Sequence, residues 1–272
     1  MTSPPFRLAY DACPLCNGKD SKEVGVADCS NYPLSTGQLP RELRWLQCKD
    51  CGHVYTDSYY SAAGLEELFK EAHDHQIATV DKTEHQRNLW AEVVGRVVIF
   101  LPEPERLFNG QTVWIDIGCG AGGLVCTASE FGFSAIGVDL RVSAVEQLRA
   151  LGQTAFVGDI ESVPTDEPVD VISMMDVLEH IAFPHSALAH AFARLKPGGI
   201  LLISCPNSDC ATWRVMDQAR NNPYWNELEH HHNFSRHLLA QLLQASGFEP
   251  FAYNISSRYK ASMELMARKP LQ

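Results

Sequence analysis

The segment from Val113 to Gly123, VWIDIGCGAGG, constrains the fold more than any other part of this chain. A short apolar stretch of strand length ends in an acidic residue, Asp116, and glycines follow at positions 118, 120 and 122. Glycines at this spacing allow a tight turn whose backbone a ligand can approach closely. The segment therefore predicts an α/β fold with a site for a nucleotide-like cofactor at the turn.

The glycines by themselves leave the identity of the cofactor open. Gly118, Gly120 and Gly123 also fit the G-x-G-x-x-G pattern of dinucleotide-binding folds, with Asp139 at the place of a ribose-binding acid. An NAD-binding oxidoreductase is one interpretation of this pattern.

Four further segments accompany the glycine turn. They are AIGVD ending at Asp139, FVGD ending at Asp159, DVISMMDVLEHI and LKPGGILLISCPN. Together with the turn they resemble the class I methyltransferase family that depends on S-adenosylmethionine (SAM), from about Gln111 to Lys269. The resemblance implies an α/β fold with a doubly wound, mostly parallel seven-stranded sheet of the Rossmann-like type. It also implies SAM as the cofactor.

The resemblance assigns roles to acids at three successive strand ends. It places Asp116 near the amino end of the methionine part, Asp139 on both ribose hydroxyls and Asp159 on the adenine amine. An N-cap or a solvated strand end is the competing interpretation for each acid taken alone. The other expected cofactor-binding residues are Gly118, Cys119, Gly120, Leu140, Ile160, Met175 and Asp176.

Two C-x-x-C pairs lie near the N-terminus, separated by 31 residues in the sequence. Two thiolates at this spacing can reach one ion, and two such pairs complete a tetrahedral zinc site. Because protein would fill all four positions, the zinc is expected to be structural. A redox pair or unrelated core thiols are the alternatives, and Cys29 and His53 are expected to stay outside the site. The predicted ligands are Cys13, Cys16, Cys48 and Cys51.

The motifs divide the chain into a zinc ribbon over residues 1–57, a helical linker or lid over 58–108 and a SAM-binding domain over 109–272. Helical patterns over Ser61–Phe69 and Thr83–Phe100 supply the lid. Candidate residues for the substrate mouth are Tyr55, Tyr59, Tyr60, His73, His75 and Arg87.

The composition limits the kinds of binding partner that are expected for this chain. The net charge of −11 argues against a surface that neutralises phosphates, so nucleic acid is not an expected partner and RNA methylation is the less favoured alternative. The N-terminal residues lack an apolar signal region and no apolar stretch exceeds strand length, so we expect a cytoplasmic protein without membrane contact. A small-molecule acceptor fits these limits, whereas the oligomeric state stays open.

Histidines are the candidate bases. Methyl transfer mainly requires alignment of the acceptor, but a hydroxyl or a carbon acid must also lose a proton. His180 closes DVLEH, and His230, His231 and His232 lie in a loop that resembles the E-H-x-H-x-F-S loop of related methyltransferases. A supporting role for His180 and a solvated loop for the triplet are the alternatives.

The long segment from Ser208 to Leu228 is expected to be an irregular lid whose aromatics suit a ring or sugar face. We therefore expect a SAM-dependent methyltransferase for a hydroxyl or carbon of a small metabolite, such as a sugar or natural-product intermediate. A module that binds SAM without catalysis is a further alternative.

Overall fold

The computed structural model describes residues 6–35, 37–69, 80–163 and 167–271. In chain order the strands are β1 (Arg7–Ala9), β2 (Ser21–Asp28), β3 (Glu42–Cys48), β4 (Val54–Thr56), β5 (Ser58–Tyr60), β6 (Val113–Ile117), β7 (Ser134–Asp139), β8 (Thr154–Val157), β9 (Val169–Met175), β10 (Leu195–Pro206), β11 (His232–Asn233), β12 (Glu249–Ile255) and β13 (Ser262–Arg268). The α-helices are α1 (Ala62–Phe69), α2 (Val80–Phe100), α3 (Gly123–Glu130), α4 (Val142–Ala150), α5 (Pro184–Arg194), α6 (Ala211–Gln218) and α7 (Arg236–Ala245).

The central sheet has seven strands in the order β12-β13-β10-β9-β6-β7-β8. Strands β6 to β10 run parallel, whereas β13 lies antiparallel between β10 and β12. This arrangement confirms the predicted doubly wound sheet, and β12 and β13 form a terminal antiparallel hairpin. The strand order reverses beside β6, so a crevice for ligands is expected at the carboxyl end of β6.

Apolar residues on both faces of the sheet hold the helices. Adjacent residues of β6 point to opposite faces, as strand geometry requires. Trp114 packs in one cluster with Val93 of α2 and Leu124 of α3. Ile115 packs in the other cluster with Leu188 of α5 and Leu239 of α7. The site-bearing edge of the sheet is thus fixed between two buried layers.

The N-terminal module contains a second sheet in the order β11-β4-β3-β2. Strands β2, β3 and β4 are antiparallel neighbours within the first 57 residues, and β1 pairs separately with β5. The edge strand β11 comes instead from residues 232–233, where His232 pairs with Tyr55 and Asn233 with Val54. The two parts of the chain therefore share one hydrogen-bonded sheet.

Ser235 caps α7, because its hydroxyl accepts a hydrogen bond from the Leu238 amide at 3.2 Å. The S-x-x-E sequence at Ser143 predicts a capping box, but α4 begins at Val142 and its N-cap, Arg141, makes no side-chain cap. The prediction that residues 208–228 are irregular was wrong, because they contain α6 and a short 3-10 turn, whereas their role as a lid stays a prediction.

Helix α2 lies beside the glycine turn. A Cβ placed on Gly123 would lie 2.8 Å from Nε1 of Trp90 and 2.9 Å from Oε1 of Gln86. No helix in the described part of the chain has both the length and the apolar surface that a membrane-spanning helix needs.

Candidate active site

The glycine turn connects β6 to α3, and its backbone conformation favours glycine at three positions. Gly118, Gly120 and Gly122 have φ values of 69°, 53° and 79°, in the left-handed region that favours glycine. A Cβ on Gly118 would lie 2.5 Å from a methyl group of Val177. The amides of Gly118 and Cys119 donate to the Val138 carbonyl at 2.7 and 3.0 Å. These bonds draw the turn against the end of β7.

Asp116 lies buried just before the turn. Its Oδ1 accepts a hydrogen bond from Ser173 Oγ at 2.6 Å, and Ser173 accepts one from Nε1 of Trp114 at 2.8 Å. Burial raises the pKa of Asp116 to about 7, although the Ser173 hydrogen bond and the charge of Arg258 act in the opposite direction. A cationic group placed beside this carboxyl would favour its ionised form.

Asp139 ends β7 at the rim of the turn. Its Oδ2 accepts from the Gly120 amide at 2.9 Å, and its Oδ1 accepts from the Arg141 amide at 2.9 Å and from the Arg141 guanidinium at 3.0 Å. The next residue, Leu140, is apolar yet 59 % exposed. An acid beside an exposed apolar residue is suited to a ribose with an attached base.

The remaining predicted cofactor residues lie along the same sheet edge. Asp159 is exposed after β8 and accepts from the Ser162 hydroxyl at 3.2 Å. Ile160 and Met175 are buried. The structure thus brings Asp116, Asp139 and Asp159 to successive strand ends, and their contacts with SAM stay a prediction.

An ion pair that sequence reasoning missed joins the tip of β9 to the β12–β13 turn. Asp176 has a φ of 58°. Its carboxylate accepts from Ser204 Oγ and from the Arg258 guanidinium, both at 2.7 Å. The Arg258 guanidinium lies 4.3 Å from the centre of the Trp90 ring. No sequence spacing signals this contact, because the partners are 82 residues apart.

Glu179, His180 and His230 form a polar group next to Asp176. One oxygen or nitrogen atom from each of the three lies within 4.8 Å of the other two. His180 Nδ1 lies 3.1 Å from the Glu229 carbonyl, and His230 Nε2 lies 2.8 Å from Glu227 Oε2. Glu179 and His230 are buried, whereas His180 is half-buried.

The charges in this group influence one another strongly. Burial raises the pKa of Glu179 to about 8, and the neighbouring His230 opposes that shift. Burial lowers the pKa of His230, but Glu227, Glu179 and Glu229 more than reverse the effect and raise it to about 9. Three carboxyl groups therefore surround one imidazole in a desolvated place, and pKa shifts of this kind are common at functional sites.

His231 and His232 lie between the two parts of the chain. The His231 amide donates to the Glu179 carbonyl at 2.8 Å, and the His231 carbonyl accepts from the Thr56 amide at 3.0 Å. His232 Nε2 is 2.9 Å from the Ile181 carbonyl, and its Nδ1 is 3.0 Å from His53 Nε2. Burial lowers the pKa of both rings, that of His232 to about 4. Of the triplet, His230 faces the acidic group.

Aromatic side chains from residues 208–228 wall this polar group. Trp213 and Tyr224 stack with ring centres 5.2 Å apart, and Tyr224 stacks in turn on His230 at 6.2 Å. Trp225 contacts Trp45 of the N-terminal sheet at 5.4 Å. The segment therefore connects this polar group to the N-terminal sheet.

The candidate mouth residues have different environments. Tyr55 and Tyr60 are buried, whereas Tyr59 packs on Phe183 at 4.9 Å. Arg87 is half-exposed and pairs with Glu130 at 2.8 Å. His73 and His75 lie outside the described residues.

The four predicted zinc ligands lie together at one end of the N-terminal sheet. The Sγ atoms of Cys13 and Cys51 are 3.8 Å apart, and those of Cys16 and Cys48 are 3.5 Å apart. Cys29 belongs to a separate apolar cluster, and the His53 ring lies beside His232. Four sulfurs around one ion at 2.3 Å would be about 3.8 Å apart, so the cluster fits a tetrahedral ion.

Comparisons with known proteins agree with this geometry. The family model described as "Methyltransferase domain" matches residues 83–252. Mitochondrial ubiquinone biosynthesis O-methyltransferase of Candida albicans is 31% identical over 120 residues, which are 40% of this chain and 37% of that protein. The enzyme of the same name from Paramagnetospirillum magneticum is 35% identical over 117 residues, 40% of this chain and 46% of that protein. Each alignment thus spans less than half of the relative.

A solved structure shares the fold. Magnesium protoporphyrin IX methyltransferase from Synechocystis PCC 6803, with bound SAH, aligns with a TM-score of 0.53 and 18% identity, over 76% of this chain and 95% of that one. The family match covers well over half of the 272 residues and resolves the choice that the glycine pattern left open. The chain belongs to the family of SAM-dependent methyltransferases.

Proposed function

We propose that this chain transfers the methyl group of SAM to a hydroxyl of a small acceptor. The acceptor binds beside the group formed by Glu179, His180 and His230. The observation that carries the proposal is the place of this group. It lies directly after Asp176, at the carboxyl end of β9, where ligands of such sheets bind. A hydroxyl needs a nearby proton acceptor to lose its proton, and this group provides one.

The acceptor class follows from the walls of the site and from the relatives. Stacked Trp213 and Tyr224 offer flat apolar surface beside the polar group, which suits an acceptor with a ring. The relatives named above are ubiquinone biosynthesis O-methyltransferases, and this name supports oxygen as the methylated atom. A sugar ring or another small hydroxylated ring fits the same description.

Bound SAM supplies an activated methyl group, and the chain aligns the acceptor with it. In this proposal Asp116 holds the amino end of the cofactor and Asp139 holds the ribose. The Asp176–Arg258 pair fixes the tip of β9, because both carboxylate oxygens are already held by hydrogen bonds. Trp90 covers the glycine turn from α2 and limits the entry of water.

In the N-terminal module, we propose that Cys13, Cys16, Cys48 and Cys51 bind a structural zinc ion. The sulfur separations given above support this assignment, as do backbone amides directed at the thiols. The Gly18 amide, for example, donates to Cys16 Sγ at 3.4 Å. With four protein ligands the ion has no position for substrate, and it serves to hold the small sheet together.

Acceptor-dependent formation of S-adenosylhomocysteine tests the function, with small hydroxylated rings and sugars as acceptors. His180→Asn should lower turnover about 100-fold and leave SAM affinity unchanged, because its contacts are on the acceptor side. His237→Asn, on the exposed face of α7, is the control and should keep full turnover.

Two results would contradict the proposal. Binding of SAM without turnover of any acceptor would indicate a binding module. Full turnover in His180→Asn and in Glu179→Gln would show that the polar group takes no part in the reaction.

A further inference from the structure

We propose that Glu179, His180 and His230 bind a divalent first-row transition-metal ion, at a site distinct from the four-cysteine cluster. Each of the three residues offers one ligand atom, and these atoms lie within 4.8 Å of one another. A tetrahedral cation at 2.0–2.2 Å from each atom requires separations of about 3.3–3.6 Å. Side-chain shifts of up to about an ångström would close the site.

The backbone holds the ligands together although they come from segments 50 residues apart. The His231 amide donates to the Glu179 carbonyl at 2.8 Å, and His232 Nε2 lies 2.9 Å from the Ile181 carbonyl. His180 Nδ1 lies 3.1 Å from the Glu229 carbonyl. Three hydrogen bonds thus join residues 179–181 to residues 229–232, so the ligands meet without any bound ion.

Two of the three ligands carry buried atoms that lack partners. Among the described residues, Oε2 of Glu179 and Nδ1 of His230 are buried and accept or donate no hydrogen bond. Glu179 is 1 % exposed and His230 is 4 % exposed. A buried polar atom without a partner costs about 1–3 kcal/mol, so such atoms usually mark a missing water or ion.

Each histidine is anchored through one ring nitrogen in the way that metal-bound histidines are. His180 uses Nδ1 toward the Glu229 carbonyl, and His230 uses Nε2 toward the Glu227 carboxylate. Metal-ligating histidines commonly donate their other ring N–H to a carbonyl or a carboxylate, which fixes the tautomer and orients the ring. Glu227 and the Glu229 carbonyl are thus positioning groups for the ligands.

The ligand set selects the class of cation. Two imidazoles and one carboxylate suit zinc, iron(II), cobalt(II) or manganese(II), whereas magnesium and calcium prefer oxygen ligands alone. The Glu227 carboxylate contacts His230 and adds negative charge beside the group, whereas Asp176 is already paired with Arg258. The surroundings are thus compatible with a bound divalent cation.

Three protein ligands leave open positions on the ion. His180 is half-buried, so the site communicates with the acceptor side. An acceptor hydroxyl bound at an open position would have its pKa lowered, so that the two histidines would hold the acceptor through the ion. This role of the ion, unlike its binding, rests on the proposed function.

Cobalt(II) titration tests the site. Protein is first given one equivalent of zinc per chain, which the four thiolates bind in preference to the site of two histidines and one glutamate and hold more tightly than cobalt. We expect one further cobalt ion per chain, with weak visible absorption and no thiolate-to-cobalt charge-transfer band. Glu179→Gln and His230→Asn should each weaken cobalt binding at least about tenfold. The control His237→Asn should bind cobalt like the wild type.

Circular dichroism and SAM titration check that the variants fold, and Glu179→Gln keeps the shape of the side chain. The proposal falls if excess cobalt adds no second ion, if only a thiolate band grows, or if the folded variants bind cobalt like the wild type. Because no acceptor is present in the titration, cobalt bound without later methyl transfer would overturn the proposed function and leave the metal site standing.

Discussion

The affinity for SAM should depend on pH through the buried carboxyl of Asp116. In the ligand-free protein, burial raises the pKa of this group to about 7. The cofactor carries a positively charged amino group, which favours the ionised carboxylate next to it. Binding should therefore release a proton from Asp116 at pH values near or below 7.

The magnitude follows from the ionised fraction. With a pKa of about 7, the carboxyl is ionised to roughly 10 % at pH 6 and roughly 90 % at pH 8, so SAM should bind about tenfold more tightly at pH 8. The same shift acts on folding. Because the folded pKa exceeds the unfolded value, Asp116 favours the folded state below about pH 4, and this contribution of about 4 kcal/mol is lost as the pH rises to 7.

Isothermal titration of SAM across this pH range, in buffers with different ionisation enthalpies, measures both the affinity and the released proton. Asp116→Asn should remove the pH dependence. Ser173→Ala removes the hydrogen bond that favours the carboxylate, so the midpoint should move to higher pH. A flat wild-type profile, or the same slope in Asp116→Asn, would refute the reasoning.

Three further outcomes are expected. Asp139→Ala should weaken SAM binding at least about tenfold by calorimetry, since charge-assisted hydrogen bonds to the ribose are lost; unchanged affinity would show that β7 does not bind the ribose. Metal analysis should find about one zinc per chain in the ribbon of protein purified without added metal or chelators, and Cys48→Ser should lose it together with the fold of the N-terminal sheet; zinc retained in the variant would contradict the ligand assignment. Ser235→Ala should lower the free energy of unfolding by about 1 kcal/mol in urea, since the N-cap of α7 is lost, and an unchanged midpoint would contradict that role.

The parts of the site that follow from local sequence were predictable. A glycine turn after an apolar strand, acids at strand ends and paired cysteines each depend on spacings of a few residues. The central sheet confirms the interpretation of the first feature, and the four cysteines lie together. Their positions along the chain already place them on turns or strand ends, so little tertiary information is required.

Contacts between distant segments were not predictable in the same way. The sequence indicated that residues 229–235 form a loop, but not that His232 pairs with Tyr55 and completes the N-terminal sheet. A two-residue strand has no periodicity of its own, and its pairing depends on which backbone groups are left unpaired when the domains meet. The same pairing decides that His231 and His232 are buried and that His230 faces the acidic group.

The contacts of Arg258 could not be predicted from the sequence either. A single arginine in a turn carries no pattern, and only the hairpin of β12 and β13 brings it to Asp176 and Trp90. The sequence by itself determined the fold family, the cofactor edge and the cysteine cluster, because local spacing and strand periodicity encode them. The tertiary structure alone decided which polar side chains meet beside the tip of β9, since a buried charge finds its partner through packing between segments that are remote in the chain.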